Sequence, residues 1–400
     1  MAAPNLVKAL VVCYLLQRSL LFVDSAIGIN WGTRSSHKLP PPVVVDLLKE
    51  NRVGKVKLFE ADPDILRALM GSGIEVMVGI PNELLGVLGS SPAACDQWVS
   101  RNVSRFMDKG GADIRCVIRG LRSDFPQDYA FFEGSSHPVV DGQNVYYNAF
   151  DGNFDTLVAA LDRIGYGQMP IAIGEVGWPS DGTPSANLSA ARVFVQGLTN
   201  HVLSNKGTPL RPGVPPADIY LFSLLDEDQK SILPGSFERH WGIFSFDGQA
   251  KYPLNLGLGN AALKNAKDVP YLPPRWCIAN PSLDPSAVAD HMEVACNVAD
   301  CTTLFYGGSC NAIGEKGNTS YAFNSYYQLQ KQDARSCNLD GLGMVTFLDP
   351  SIGDCRFLVG ISDSGSPVGC TKFCGLWIMA LWILCKNFEC VVMLFEDFDL

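Results

Sequence analysis

From residue 27 onward the chain alternates between two apolar spacings. Short, nearly continuous apolar runs read as buried strands, and runs with a spacing of three or four read as helices. The first strand is Ile27-Gly-Ile-Asn-Trp-Gly, followed by a helix over 42–50 and a strand over 55–60. Asp62-Pro63 is a cap followed by a first-turn proline, so a helix is predicted over 62–70. A strand over 74–81, a helix over 94–107 and a strand over 114–118 come next. Strand–helix alternation predicts a parallel sheet, either doubly wound or closed as a (β/α) barrel. From about Leu121 the alternation fails, and residues 122–142 read as a loop with no strand of their own. It resumes with a helix over 147–163, a strand over 169–176, a helix over 187–203 and a last strand over 218–227. That makes six strands. Residues 256–274, with Pro270, Pro273 and Pro274, read as a linker to a cysteine-rich module at 275–360.

Composition narrows the function. With 31 Lys+Arg against 41 Asp+Glu the net charge is −10, and no basic run is present. Nothing in that balance neutralises phosphates, so nucleic acid is not an expected partner. No GxxxxGK[ST] loop and no HExxH occurs, and the five histidines are scattered. No metal or other cofactor is therefore expected. Residues 1–26 read as a secretory signal: Lys8 precedes the apolar stretch 9–16, and Ser25-Ala26 gives a small-residue exit. Thirteen cysteines fit an exported chain, and six of them (Cys277, Cys296, Cys301, Cys310, Cys337, Cys355) crowd into the module. In an oxidising compartment such density is a disulfide framework, and no CxxC among them suggests zinc. Sequons at Asn102, Asn187 and Asn318 suit the same route as glycosylation sites. Cys95 and Cys116 have no evident partner. In the tail, 361–400, the apolar stretch 375–384 is too short to span a bilayer. It is compatible with a lipid-anchor signal or with membrane association, and the sequence leaves both open, as it does the oligomeric state.

Candidate chemistry gathers at two strand ends. Parity along Ile171-Ala-Ile-Gly-Glu-Val puts Ile171, Ile173 and Glu175 on one face, with Glu175 at the C-terminal mouth. Barrel enzymes keep catalytic groups there. Trp178, in the turn that follows, reads as an exposed indole suited to a sugar ring. Glu227 and Lys230 end the last strand, and Glu238 follows shortly. A carboxylate cluster with a lysine can hold a neighbouring acid in its working charge state. The plain alternative is a solvated charged loop.

These residues carry a resemblance. INWG at Asn30, PNELL at Asn82, IGEVGWPS at Glu175, LDEDQK at Glu227 and ERHWGIF at Glu238 together resemble the plant glycoside hydrolase family 17 endo-1,3-β-glucosidases, over residues 27–255. RWCIANP at Cys277 resembles the X8-type carbohydrate-binding module. The resemblance implies a (β/α)8 barrel and retaining hydrolysis of 1,3-β-glucan of the callose kind, outside the cell or in the cell wall. It implies Glu175 as nucleophile, with Glu227, Lys230 and Glu238 lining the cleft. It also implies the pairs Cys277–Cys337, Cys296–Cys301 and Cys310–Cys355. Tyr306, Tyr321, Tyr326, Tyr327 and Trp276 are the module's candidate glucose-stacking aromatics, or else parts of its core.

One departure stands out. In the family the general acid follows an Asn at the mouth of strand four, whereas here that strand runs Ile114-Arg-Cys-Val-Ile-Arg-Gly-Leu. The next recognisable segment, Asp124-Phe-Pro-Gln-Asp-Tyr, resembles the loop after the family's sixth strand. Strands five and six and the acid are thus expected to be absent, cut out near 117–123. At about 250 residues for eight units, two lost units remove roughly 60 residues. Neither Asp124 nor Glu133 sits on a strand end that could replace the acid. The expected result is an incomplete barrel of six units with two open edges.

Overall fold

A computed structural model describes residues 26–81, 84, 91–106, 113–116, 127–163, 165–282 and 288–362. The signal, Asn82, Asp124 and the tail beyond residue 362 lie outside the described residues, as do the side chains of Cys95 and Cys116.

The large domain is built around one parallel sheet. Its strands are β1 (Ile27–Trp31), β2 (Lys55–Leu58), β3 (Glu75–Val78), β4 (Asp113–Cys116), β7 (Ala172–Val176) and β8 (Asp218–Leu221), in the order β4-β3-β2-β1-β8-β7. Six strands are what the apolar pattern predicted. Helices α1 (Pro41–Glu50), α2 (Pro63–Leu69), α3 (Pro92–Asn102), α5 (Ala149–Arg163) and α6 (Leu188–Leu203) fall between them. In α2, Asp62 caps the helix by accepting from the N–H groups of Asp64 and Ile65, ahead of Pro63. α1 buries Val44, Val45, Leu47 and Leu48. α6 buries Ala191, Phe194, Val195, Leu198 and Val202 on a matching stripe. The main core lies between these stripes and the outward residues of the sheet, Ile27, Ile29 and Trp31 among them.

The sheet is curled. Lys57 on β2 reaches β7 across the two intervening strands, with its Nζ 2.6 Å from Glu175 Oε1. The result is a partial barrel of the (β/α)8 type. β1, in the middle, is buried along its whole length, whereas β7, at one end, buries only Gly174 fully.

Three differences from the sequence reading are local. The stretch read as strandless carries a small antiparallel hairpin, β5 (Val139–Asp141) with β6 (Asn144–Tyr146), after the short helix α4 (Gln127–Ala130). Its first strand is exposed throughout, so no apolar signal marked it. The last strand ends at Leu221 rather than 227, because Leu224 and Phe222 donate backwards, to Asn30 O and Val176 O, and the chain turns there. The linker does not hang free: Leu256 and Leu258 are buried in the main core, and Tyr271 donates its hydroxyl to Asp247 at 3.0 Å.

The module comprises β9 (Trp276–Ala279), α7 (Ala289–Val298), α8 (Glu315–Leu329), α9 (Ala334–Asn338) and β10 (Gly343–Thr346), with β9 and β10 antiparallel. Its disulfides join Cys277–Cys337, Cys296–Cys301 and Cys310–Cys355. Phe323 and Tyr327 pack against the first of these pairs. Trp276 packs against the Cys310–Cys355 pair. Replacing Cys277 and Cys337 together by Ser opens a link spanning 60 residues. The expected loss is about 2–5 kcal/mol of module stability, read by calorimetry against the oxidised wild type.

Candidate active site

Glu175 sits near the C-terminal end of β7, where β7 and β8 lose regular register between Ile173 and Val176. Such irregularities re-aim side chains at sheet edges. The carboxylate meets Lys57 Nζ, which also approaches Gly174 O at 3.4 Å and lies 4.7 Å over the Phe59 ring. The lysine side chain is 3% exposed and Glu175 31%. A buried ammonium facing a half-open carboxylate fixes one oxygen of Glu175 and turns the group to the mouth. Below the pair, the buried Asn30 donates Nδ2 to Gly174 O, Tyr220 O and Leu221 O, tying β1 to β8 and β7. Gly177 follows at once. A Cβ there would stand 1.9 Å from Phe222 O, so the turns after β7 and β8 touch backbone to backbone.

The second group forms after β8. Glu227 is buried and accepts from the N–H of Arg34 at 2.9 Å. Burial pushes its carboxyl above the usual carboxylate range, opposed by the Arg34 N–H and the Lys230 charge. Gly32 makes the room, since a Cβ on it would stand 2.2 Å from the Glu227 carboxylate. Lys230 pairs with Glu238 at 3.1 Å and lies 4.4 Å over the Phe222 ring. Burial also raises Asp226, which Lys251 meets at 2.7 Å on both oxygens.

A run of rings joins the two groups. Phe59 meets Phe222 at 6.1 Å, and Phe222 meets Trp241 at 5.5 Å. Lys57 lies over the first ring and Lys230 over the second, so the Glu175 and Glu238 ion pairs stand at the two ends of one aromatic surface. The structure thus brings together Glu175, Lys230 and Glu238, with Glu227 joined to Lys230 through the backbone. Lys57 and Phe59 were not singled out from the sequence, and Asn30 and Gly32 entered that reading only within the INWG motif. The signal for Lys57 was present: two lysines alternate with apolar residues in a strand of a parallel sheet, which is covered on both faces.

Trp178 differs from its expectation. Its ring is half-buried, 5.0 Å from Phe131 and 5.5 Å from Phe194, and its Nε1 donates to Ser185 O at 2.9 Å. The indole is partly covered rather than fully exposed, and it braces the turn. In the module Trp276 and Tyr327 are core, Tyr321 packs edge-on against Phe357, and Tyr326 lies against the Cys301 cluster. Tyr306, 81% exposed, is the open ring among the five candidates, and Phe347 at 73% is one the sequence reading passed over. Asn102 and Asn318 are half-buried in helices, Asn187 caps α6 from an exposed position, and Glu133 is exposed.

Residues 27–120 and 112–256 match Glycosyl hydrolases family 17, and residues 275–344 match the X8 domain. The chain is 41% identical to glucan endo-1,3-beta-glucosidase 5 of Arabidopsis thaliana over 446 aligned positions, covering 88% of this chain and 92% of that relative. It is 39% identical to glucan endo-1,3-beta-glucosidase 8 of the same plant over 458 positions, covering 90% and 94%. Both alignments are longer than the 400-residue chain, so they contain positions with no residue of this chain. Among solved structures, CJP38, a beta-1,3-glucanase and allergen of Cryptomeria japonica pollen, superposes with a TM-score of 0.53 at 26% identity. That match covers 58% of this chain and 99% of CJP38.

Two outcomes follow from the Glu227 environment. Gly32→Ala drives a methyl into the carboxylate and costs about 1–3 kcal/mol by overpacking, and Glu227→Ala in the same chain recovers part of that loss in urea unfolding. The raised Glu227 carboxyl contributes stability that is full below its ordinary value of 4.5 and is lost as pH rises through the raised value. Glu227→Gln therefore gains stability over wild type as pH is taken from 4 toward 7.

Proposed function

The chain belongs to glycosyl hydrolases family 17, and from that premise we propose that it is a secreted endo-1,3-β-glucanase-type protein acting on 1,3-β-glucan of the callose kind. Glu175 is its nucleophile, and the cysteine-rich module holds the same polymer, with Tyr306 as the exposed ring. The observation that carries this reading is Glu175 at the strand-end mouth, gripped by Lys57 and connected through Phe59 and Phe222 to Lys230 and Glu238. A retaining mechanism suits that arrangement. A Glu175 oxygen attacks the anomeric carbon, the glycosidic C–O bond breaks toward the leaving oxygen, and water then cleaves the glycosyl ester. Residues 1–26 supply export to the cell exterior or wall, Asn102, Asn187 and Asn318 carry glycans, and the apolar stretch within 361–400 favours the membrane surface.

The leaving oxygen needs a proton, and the family's acid has no counterpart after β4. The two family matches meet at residues 112–120, which supports an internal excision at that place. A missing general acid costs about 10²–10⁴-fold in rate. That absence favours one further reading, a non-catalytic glucan-binding protein.

An activated substrate separates them, because dinitrophenolate leaves without protonation. With a 2,4-dinitrophenyl β-laminaribioside the chain is expected to release a burst of one dinitrophenolate per molecule and to carry the sugar as an ester on Glu175, seen by mass spectrometry. Glu175→Gln is expected to abolish both, and reducing-sugar release from natural 1,3-β-glucan is expected to be weak. Retention on insoluble 1,3-β-glucan without a burst would select the binding protein. The absence of both burst and retention would overturn the proposal.

A further inference from the structure

The module does not hang beside the barrel; it is tied to the two loops that carry the candidate catalytic groups. Asp300 Oδ1 accepts from Arg239 Nη1 at 3.0 Å, and from the N–H and hydroxyl of Thr302 at 3.0 and 2.7 Å. Arg239 is the neighbour of Glu238 and donates its Nε to Lys230 O at 2.9 Å. His240 Nε2 lies 2.6 Å from Thr302 Oγ1, both groups being buried. On the other loop, a few residues past Glu175, Asp181 accepts from the N–H of Ser309 at 2.8 Å and from its hydroxyl. Gly307 lies so close that a Cβ on it would stand 2.3 Å from Pro184. Ser180 then joins the two loops by donating its N–H and its hydroxyl to His240 O, each at 2.9 Å.

Two features make these ties decisive for loop position. At these two loops a cavity of about 450 Å³ lies between the two bodies. The loops there are held by directional ties, of which the Arg239–Asp300 and Asp181–Ser309 pairs are charge-assisted and stronger than neutral ones. The module ends of these ties are also stiff: Asp300 and Ser309 each precede a disulfide-bonded cysteine, Cys301 and Cys310.

We propose that the cysteine-rich module is a brace for the cleft, with Asp300 and Ser309 as positioning residues that hold the loops after β7 and β8 and so the spacing between Glu175 and the Lys230–Glu238 pair. The catalytic half of this statement rests on the function proposed above; the mechanical half does not.

The test uses the full chain and three variants: Asp300→Asn with Ser309→Ala, Gly307→Ala, and Asp300→Glu as the conservative control. Amide hydrogen exchange is expected to quicken about tenfold or more in residues 177–186 and 226–241 of the first two variants. α8 is expected to keep its protection, which shows the module folded, and Asp300→Glu to stay near wild type. The dinitrophenolate burst rate is expected to fall at least severalfold in the first two variants, with less change in the half-saturating substrate concentration than in the rate. Unchanged loop exchange would overturn the brace, and faster loop exchange with an unchanged burst rate would overturn its positioning role. A wild-type chain with no burst would refute the catalytic reading alone, and loop exchange would then decide the brace by itself.

Discussion

An ammonium group enclosed by protein costs several kcal/mol unless a counter-charge meets it, and the 3% exposed Lys57 meets Glu175 at 2.6 Å. The two belong to β2 and β7, with β1 and β8 between them. A flat sheet would hold such residues more than ten ångströms apart, at about 4.8 Å per strand. The ion pair thus requires the curl, and the curl in turn fills the interior with polar groups: Asn30 hydrogen-bonded to three carbonyls and Lys55 paired with Asp218 at 2.5 Å. Large apolar side chains are concentrated instead on the outer face of the sheet, under the helices. The mouth of the barrel is shaped by charge balance inside and by hydrophobic burial outside.

Much of this was legible from residue order. Apolar runs located all six main strands, and Asp62-Pro63 located the start of α2. The strand reading put Glu175 near the end of β7, but parity did not hold: Ile173, expected on its face, pairs with Ile219 and packs in the outer core, because the register slips between Ile173 and Val176. The motif resemblance named the disulfide pairs that the structure contains. What escaped has a common cause. The partners of Lys57, Gly32 and Asp300 lie 118, 195 and 61 residues away or at separations of that order, and no local spacing reports such meetings. Trp178 is partly covered for another reason: Phe131 and Phe194, both distant in sequence, pack against its ring. The hairpin at 139–146 is exposed along its first strand, so it had no apolar alternation to show.

The ends of the sheet set a different constraint. Among the described residues no strand pairs with the outer side of β4 or β7. β7 carries the candidate nucleophile, is only half-buried and lies at an edge of the described sheet. In a closed barrel it would have had a neighbour on each side to hold it. Here the load falls on Lys57, on the backbone contact of Gly177 with Phe222, and on whatever steadies the turn beyond. Trp178 does part of that from within, by anchoring its Nε1 on Ser185 O.

The position of β1 has a consequence for biosynthesis. It is the first strand to leave the ribosome, yet it lies in the middle of the sheet and pairs Ile27 with Ile219 of β8. At translation rates of roughly 5–20 residues per second, β1 waits on the order of ten seconds or more for that partner. During the interval a strand that is apolar but for Asn30 has one unpaired side, which gives nascent-chain chaperones reason to engage this segment.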